Sequence, residues 1–210
     1  MNVAEQLVAQ LIDAGVHRVY GIVGDSLNPI VDAIRKSGGS KKGGIDWVHV
    51  RHEEAAAFAA AAEAQLTGKL AVCAGSCGPG NLHLINGLYD AQRSGAPVLA
   101  IASHIPSVQI GQMYFQETHP DRLFNECSVY NELISSAEQA PRVVNAAIRH
   151  AVELSGVSVI SLPGDVSDLK ASSPSPKYVP SRRPVLTPNE EDVRQLADVL
   201  NRAKKVAIFA

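Results

Sequence analysis

Runs of like charge are missing from this 210-residue chain: no cluster of Lys or Arg exceeds a pair, as in Lys41 with Lys42, Arg182 with Arg183 and Lys204 with Lys205. Without a basic stripe there is no electrostatic footprint for nucleic acid. A net charge of −2, with 19% charged and 46% hydrophobic residues, describes an ordinary globular protein with material for a sizeable core. Cysteine is scarce as well. The three, Cys73, Cys77 and Cys127, cannot all pair, and the C-x3-C spacing is neither the redox C-x-x-C nor a zinc pattern, so reduced thiols in the cytoplasm are expected. The seven histidines form no H-x-x-x-H or H-E-x-x-H pair, which argues against a metal site built from this chain. The N-terminus, MNVAEQLVAQLIDAG, has no basic leader and no long apolar core, so neither a signal peptide nor a membrane span is expected.

What is present is alternation. Val3, Leu7, Val8, Leu11 and Ile12 recur at helical spacing with Gly15 behind them, which predicts a helix over 3–14. RVYGI then reads as a strand, and Asp25 or Ser26 as the cap of a helix running to about Lys36. SGGSKKGG, 37–44, has the composition of a flexible surface loop. DWVHV, KLAVCAGS, PVLAIAS and VSVISLP read as further strands, with helices over 53–67, 81–93 and 138–154 between them. A long irregular stretch covers 104–126. Strands and helices alternating at this spacing predict an α/β fold, an open and mainly parallel sheet with helices on both faces. The texture changes at residues 167–187, a Pro/Ser-rich linker by composition. Residues 188–210 read as a helix followed by an apolar strand, KKVAIFA, the truncated start of a second α/β domain.

Ligands of open parallel sheets bind beyond the carboxyl ends of the strands. That rule selects VGDS (23–26), RHEE (51–54), GSCGPGN (75–81) and SHIPS (103–107). In RHEEAAAFAAAAEAQLTG, Glu53 and Glu54 open a helix of eight alanines between 55 and 64. Two readings compete for them: complements to the positive helix end, at ~0.3–1 kcal/mol each, or carboxylates at the mouth of a helix small enough for close burial. GSCGPGN supports either a backbone cradle for phosphate or a tight turn without ligand; it matches neither the Walker pattern nor G-x-G-x-x-G. Asn81 could cap the helix that follows and His83 could lie on the surface. His52, His104 and His119 stay open between hydrogen-bonded structure and a direct role. MYFQETHP, 113–120, fits a lid or a hydrophobic anchor.

RHEEAAAFAAAAEA, GSCGPGNLHLINGLYDA, APVLAIASHIPS and YFQETHP, in this order, resemble the N-terminal pyrimidine-binding (Pyr) domain of thiamine-diphosphate enzymes. Within that superfamily the combination is most similar to bacterial quinone-dependent pyruvate dehydrogenase, also called pyruvate oxidase. The resemblance runs over about residues 3–166, giving a Pyr domain at 1–166, the linker at 167–187, and the opening of a central FAD-binding domain at 188–210. It implies that Glu53 meets N1′ of the aminopyrimidine and that Pro79, Gly80 and Asn81 line the ring. By the same match Phe115 and Gln116 lie over the reacting carbon, and Gly24, Asp25 and Ser26 form the first active-site loop. The implied reaction is oxidative decarboxylation of pyruvate to acetate and CO2, with thiamine diphosphate, Mg²⁺ and FAD as cofactors and a quinone as electron acceptor. The implied assembly is a cytoplasmic homo-oligomer, its active site formed between subunits, meeting the inner face of the membrane through a C-terminal segment outside this chain. One departure is large: the GDG motif ending in Asn-Asn that binds diphosphate and Mg²⁺ is absent from these 210 residues. The chain alone is therefore expected to be inactive and to bind thiamine diphosphate poorly. An acetolactate synthase-like carboligase and a self-associating, non-catalytic module are the alternatives.

Overall fold

Residues 1–179 and 186–209 are described by the computed structural model. Six strands, β1 (Arg18–Gly21), β2 (Asp46–His49), β3 (Ala71–Gly75), β4 (Val98–His104), β5 (Tyr130–Leu133) and β6 (Val157–Pro163), form one sheet. Its order is β2-β1-β3-β4-β6-β5, and every pair is parallel. The expected α/β architecture is therefore present. The helices are α1 (Val3–Asp13), α2 (Asn28–Lys36), α3 (Glu53–Thr67), α4 (Pro79–His83), α5 (Ile85–Arg93), α6 (Pro120–Leu123), α7 (Ala140–Leu154), α8 (Gly164–Asp168) and α9 (Glu190–Arg202).

Strand periodicity builds two cores. Side chains alternate across a sheet, so Val72, Ala74, Leu99, Ile101, Ile160 and Leu162 join α1, α2 and α7 on one face. Ala71, Cys73, Val98, Ala100, Val157 and Val159 join α3 and α5 on the other. Strands covered on both faces read as continuous apolar runs, as β3 and β4 do. The second face is thin because its side chains are small. Ala56, Ala57, Ala60, Ala61 and Ala64 of α3 are all buried, and a Cβ on Gly87 of α5 would stand 2.5 Å from Ala57 Cβ. Burial pushes the Cys73 thiol up to about 12, and all three cysteines are free and buried.

Several elements differ from the sequence-based expectation. Neither Asp25 nor Ser26 caps α2; a 3-10 turn at Asp25–Leu27 precedes it, and the Ser26 hydroxyl is engaged elsewhere. The helix expected over 81–93 starts at Pro79 and breaks at Leu84 into α4 and α5. The short edge strand β5, sequence YNEL, carries too little apolar alternation to stand out. The loop at 37–44 is tied down rather than loose: the Asp46 carboxylate accepts from the Ser40 N–H at 3.0 Å and from the Ser40 hydroxyl. Those bonds, the hydroxyl's first, hold the Asp46 carboxyl below its ordinary range. α8 occupies the first residues assigned to the linker. Beyond it the chain runs back along α1, with Gln6 Nε2 donating to the Ser173 carbonyl (2.7 Å) and the Tyr178 N–H to Asp13 Oδ2 (2.8 Å). Pro180 to Val185, the centre of the linker, lie outside the described residues. α9 forms as expected, but Lys204–Phe209 is not a strand; a strand exists only through hydrogen bonds to a neighbour, and this segment has none among the described residues.

The sheet order also fixes where a ligand can enter. β1 leads into α2 on one face and β3 leads into α4 and α5 on the other. The crevice beyond these two adjacent strands is the topological switch point of the sheet.

Candidate functional site

The loops flanking that crevice are stapled by buried polar groups. Ser26 Oγ accepts the Cys77 N–H at 2.9 Å and lies 3.0 Å from Ser76 Oγ. Ser103 Oγ, at the end of β4, donates to the Ser26 carbonyl at 2.6 Å, and Asn81 Nδ2 donates to the Ser103 carbonyl at 2.6 Å. Three strand ends are thus held together by one chain of hydrogen bonds. Polar groups this deep are expensive to leave unpaired, and one is left so: Asn81 Oδ1 is buried without a partner.

The wall of the crevice comes from α3. His52 is its N-cap, with Nδ1 accepting the Glu54 N–H at 3.2 Å. Glu53 follows in the first turn, only 8% exposed. Its Oε2 lies 3.0 Å from His83 Nδ1. Oε1 is turned to Gly80, where an added Cβ would come within 3.3 Å of it. Glu54 points elsewhere and accepts from Asn86 Nδ2 at 2.8 Å. The two adjacent carboxylates therefore have separate work, and Glu53 is the one that lines the cavity at these strand ends.

That cavity, about 330 Å³, is lined by Gly24, Asp25, Glu53, Pro79, Gly80 and Gln116, together with Val23, Ser76 and Cys77. Glycine is required on its floor: a Cβ on Gly24 would come 2.6 Å from Ser76 Cβ. A second cavity of about 370 Å³ shares Asp25, Cys77 and Gln116 with the first and adds Ser26, His104, Tyr114, Phe115 and Asp165. Of the nine residues that the family resemblance assigns to the site, eight line these two adjoining spaces. Asn81 lines neither; it is the buried tie to Ser103. A larger open groove of about 590 Å³ runs along α7, lined by Arg142, Arg149, His150 and Lys177 among others, and touches none of the strand-end loops.

The roof is the segment after β4. Ser107 donates from its N–H and hydroxyl to the two oxygens of Asp165, at 2.9 and 2.6 Å, which ties the segment's start to α8. Glu117 accepts from the Gly111 N–H (2.5 Å) and the Tyr114 N–H (2.9 Å), closing a compact loop, and the first of these bonds is the main cause of its lowered carboxyl pKa. Gln116 adopts φ +66° and packs against Gly78, itself at φ +68°, whose Cβ would lie 2.8 Å from that of Gln116. Phe115 is 79% exposed beside it. His104 is buried at the base; Nδ1 accepts the Ile105 N–H at 2.9 Å, and burial lowers its pKa. His119 only precedes α6. Sequence reasoning passed over His83 as a surface residue, and spacing could not reveal it, because it meets Glu53 from 30 residues away.

The family described as thiamine pyrophosphate enzyme, N-terminal TPP binding domain, matches residues 1–123. The chain belongs to that family and carries its thiamine diphosphate-binding domain. It is 59% identical over 99% of its length to an uncharacterized 42.6 kDa protein of Pseudomonas amyloderamosa, covering 52% of it. It is 41% identical over 76% of its length to the pyruvate oxidase of Lactiplantibacillus plantarum, covering 26% of that protein. The large subunit of acetolactate synthase isozyme 2 from Escherichia coli K12 is 32% identical over 100% of the chain, which covers 37% of it. The chain thus spans about half or less of the length of these curated relatives.

The site fits the pyrimidine end of the cofactor. A nearly buried carboxylate with one oxygen turned to a glycine floor offers a flat ring one directional polar contact and no side chain in its way. No Lys or Arg that could neutralise a diphosphate is among the residues lining either cavity.

Proposed function

We propose that this chain is the pyrimidine-binding part of a longer enzyme that oxidatively decarboxylates pyruvate to acetate and CO2, passing electrons through FAD to a quinone. The observation that carries it is Glu53, held at the switch point with Oε2 on His83 and Oε1 free toward the glycine-floored cavity. The similarity to a pyruvate oxidase favours this chemistry within the family. Bound thiamine diphosphate would supply a cationic thiazolium ring able to take up the electron pair released on loss of CO2. Glu53 holds a proton at N1′ of the aminopyrimidine and so fixes the tautomer of the ring; the low-dielectric wall of α3 strengthens that bond. Pro79, Gly80, Gly24 and Asp25 shape the slot, with Ser26 and Asn81 fixing its loops. Gln116 and Phe115 cover the second cavity, where they orient pyruvate and exclude water. The diphosphate with Mg²⁺, and the FAD, are held by residues outside this chain, the former on a second subunit of a homo-oligomer. The enzyme works in the cytoplasm and meets the inner face of the membrane through a segment beyond these residues; no described helix is long and apolar enough to cross one.

A carboligase of the acetolactate synthase type is the second reading, favoured by a match that runs the full length of the chain. Product analysis separates the two, acetate for oxidation and acetolactate for carboligation. In the full-length protein Glu53→Gln should reduce turnover by ~10²–10⁴, the usual worth of positioned proton transfer. Near-normal turnover in that variant would remove Glu53 from the mechanism.

A further inference from the structure

Outside the slot, Glu53 has a second set of neighbours. The rings of His52 and His83 stack with centroids 4.3 Å apart and 27° between planes. One ligating atom from each of His52, Glu53 and His83 can be chosen so that all lie within 4.8 Å of one another. Two imidazoles and a carboxylate, completed by water, are a donor set that zinc accepts in tetrahedral geometry. At metal–ligand distances of ~2.0–2.2 Å, tetrahedral donors stand ~3.3–3.6 Å apart. The His83 Nδ1 to Glu53 Oε2 gap is already 3.0 Å. His52 has to approach by roughly 1.5 Å on that geometry. It is free to do so, because its side chain is 50% exposed and that of His83 44%, while Glu53 is held at 11%.

We propose that His52, Glu53 and His83 form a binding site for one zinc-class divalent ion, with water as the fourth ligand. The ion enters between His83 Nδ1 and Glu53 Oε2, where a proton is now shared, and neutral His83 then carries its proton on Nε2. Ligation by His52 Nδ1 releases the Glu54 N–H bond at the start of α3, a long one at 3.2 Å. Oxygen-seeking ions such as Mg²⁺ find too few oxygens here. The ion uses Oε2 and leaves Oε1 to the slot, so the site does not depend on the thiamine reading of Glu53.

Zinc chloride titrated into the purified chain against a chromophoric zinc chelator tests this. One equivalent should bind, undisturbed by excess Mg²⁺, and His83→Ala and Glu53→Gln should each weaken binding by at least about tenfold, the lower range for disturbing a metal's protein partners. Glu53→Gln keeps the side chain's shape, so it remains informative if His83→Ala unfolds, which far-UV circular dichroism reports. His17→Ala, an exposed histidine away from the cluster, should match the parent chain. Absence of stoichiometric binding, displacement by Mg²⁺, affinity unchanged by Glu53→Gln, or an equal loss in His17→Ala would each overturn the proposal.

Discussion

Gly87→Ala asks whether the alanines of α3 are there to let another helix approach. A methyl group at Gly87 would sit 2.5 Å from Ala57 Cβ, 2.7 Å from Phe58 N and 2.9 Å from Ala57 C. Ordinary carbon contacts lie at about 3.5–4.0 Å, so α3 and α5 would have to part by roughly 1 Å. Two of the three blocking atoms are backbone and cannot swing aside. That places the substitution near the upper end of the ~1–3 kcal/mol range for overpacking. Against it stands the helix-propensity gain of alanine over glycine, ~1 kcal/mol. The net expectation is a loss of about 2 kcal/mol, or roughly 4–8 °C in Tm for a chain of this size. Thermal unfolding followed by circular dichroism measures it. A Tm equal to or above that of the parent chain would show that α3 and α5 are not in the close contact described, and the explanation of the alanine run would fall with it.

The same substitution at Gly80 should act on the ligand instead of the fold. Its Cβ would come only to 3.3 Å from Glu53 Oε1 and from Ser76 Cβ, so stability should change little, while losing a charge-assisted hydrogen bond of ~1.5–3 kcal/mol should weaken thiamine diphosphate binding by about 10- to 150-fold. Calorimetric titration of the full-length protein decides it, and parent-like affinity would mean the ring lies elsewhere. A pH effect follows from His104, whose pKa is lowered from 6.5 by burial, with His119 adding to this and Glu117 and Asp121 opposing it. The unfolded chain then binds the proton more readily than the folded one, so this contribution to stability is intact above 6.5 and is lost as pH falls through the lower folded value. Denaturant unfolding from about pH 8 down to about pH 5 should show a decline in the parent that is shallower in His104→Gln; identical slopes would refute it.

Much of this organisation was legible in the sequence because it depends on period. Val72 and Ala74 against Ala71 and Cys73 already state that β3 is covered on both faces, and the strand-end rule picks the four loops without knowledge of any side chain's direction. What escaped depends on meetings between loops. Nothing in the spacing of GPGNLH indicates that His83 turns back to Glu53, which lies on another helix 30 residues away, or that α4 ends at the buried Leu84. Likewise Gln116 takes a positive φ that its residue type does not announce, and it is seated by a glycine 38 positions earlier. β5 was lost to a polar tetrapeptide that is a strand only because β6 lies beside it.

The alanine run and the glutamate that opens it are one design. α3 packs against the sheet and, alongside it, against α5, where only small side chains fit, and that close fit allows the helix little room to slide or tilt. A carboxylate in its first turn inherits this rigidity, so Glu53 is delivered to the switch point at a fixed depth, with His52 capping the helix behind it and His83 holding one oxygen. A larger residue at Ala56 or Ala60 would therefore disturb the site from a distance, by tilting the element that aims Glu53. Precision at the mouth of the crevice is set by the absence of bulk roughly 4.5 to 10.5 Å further along the helix, about one to two turns at ~5.4 Å each.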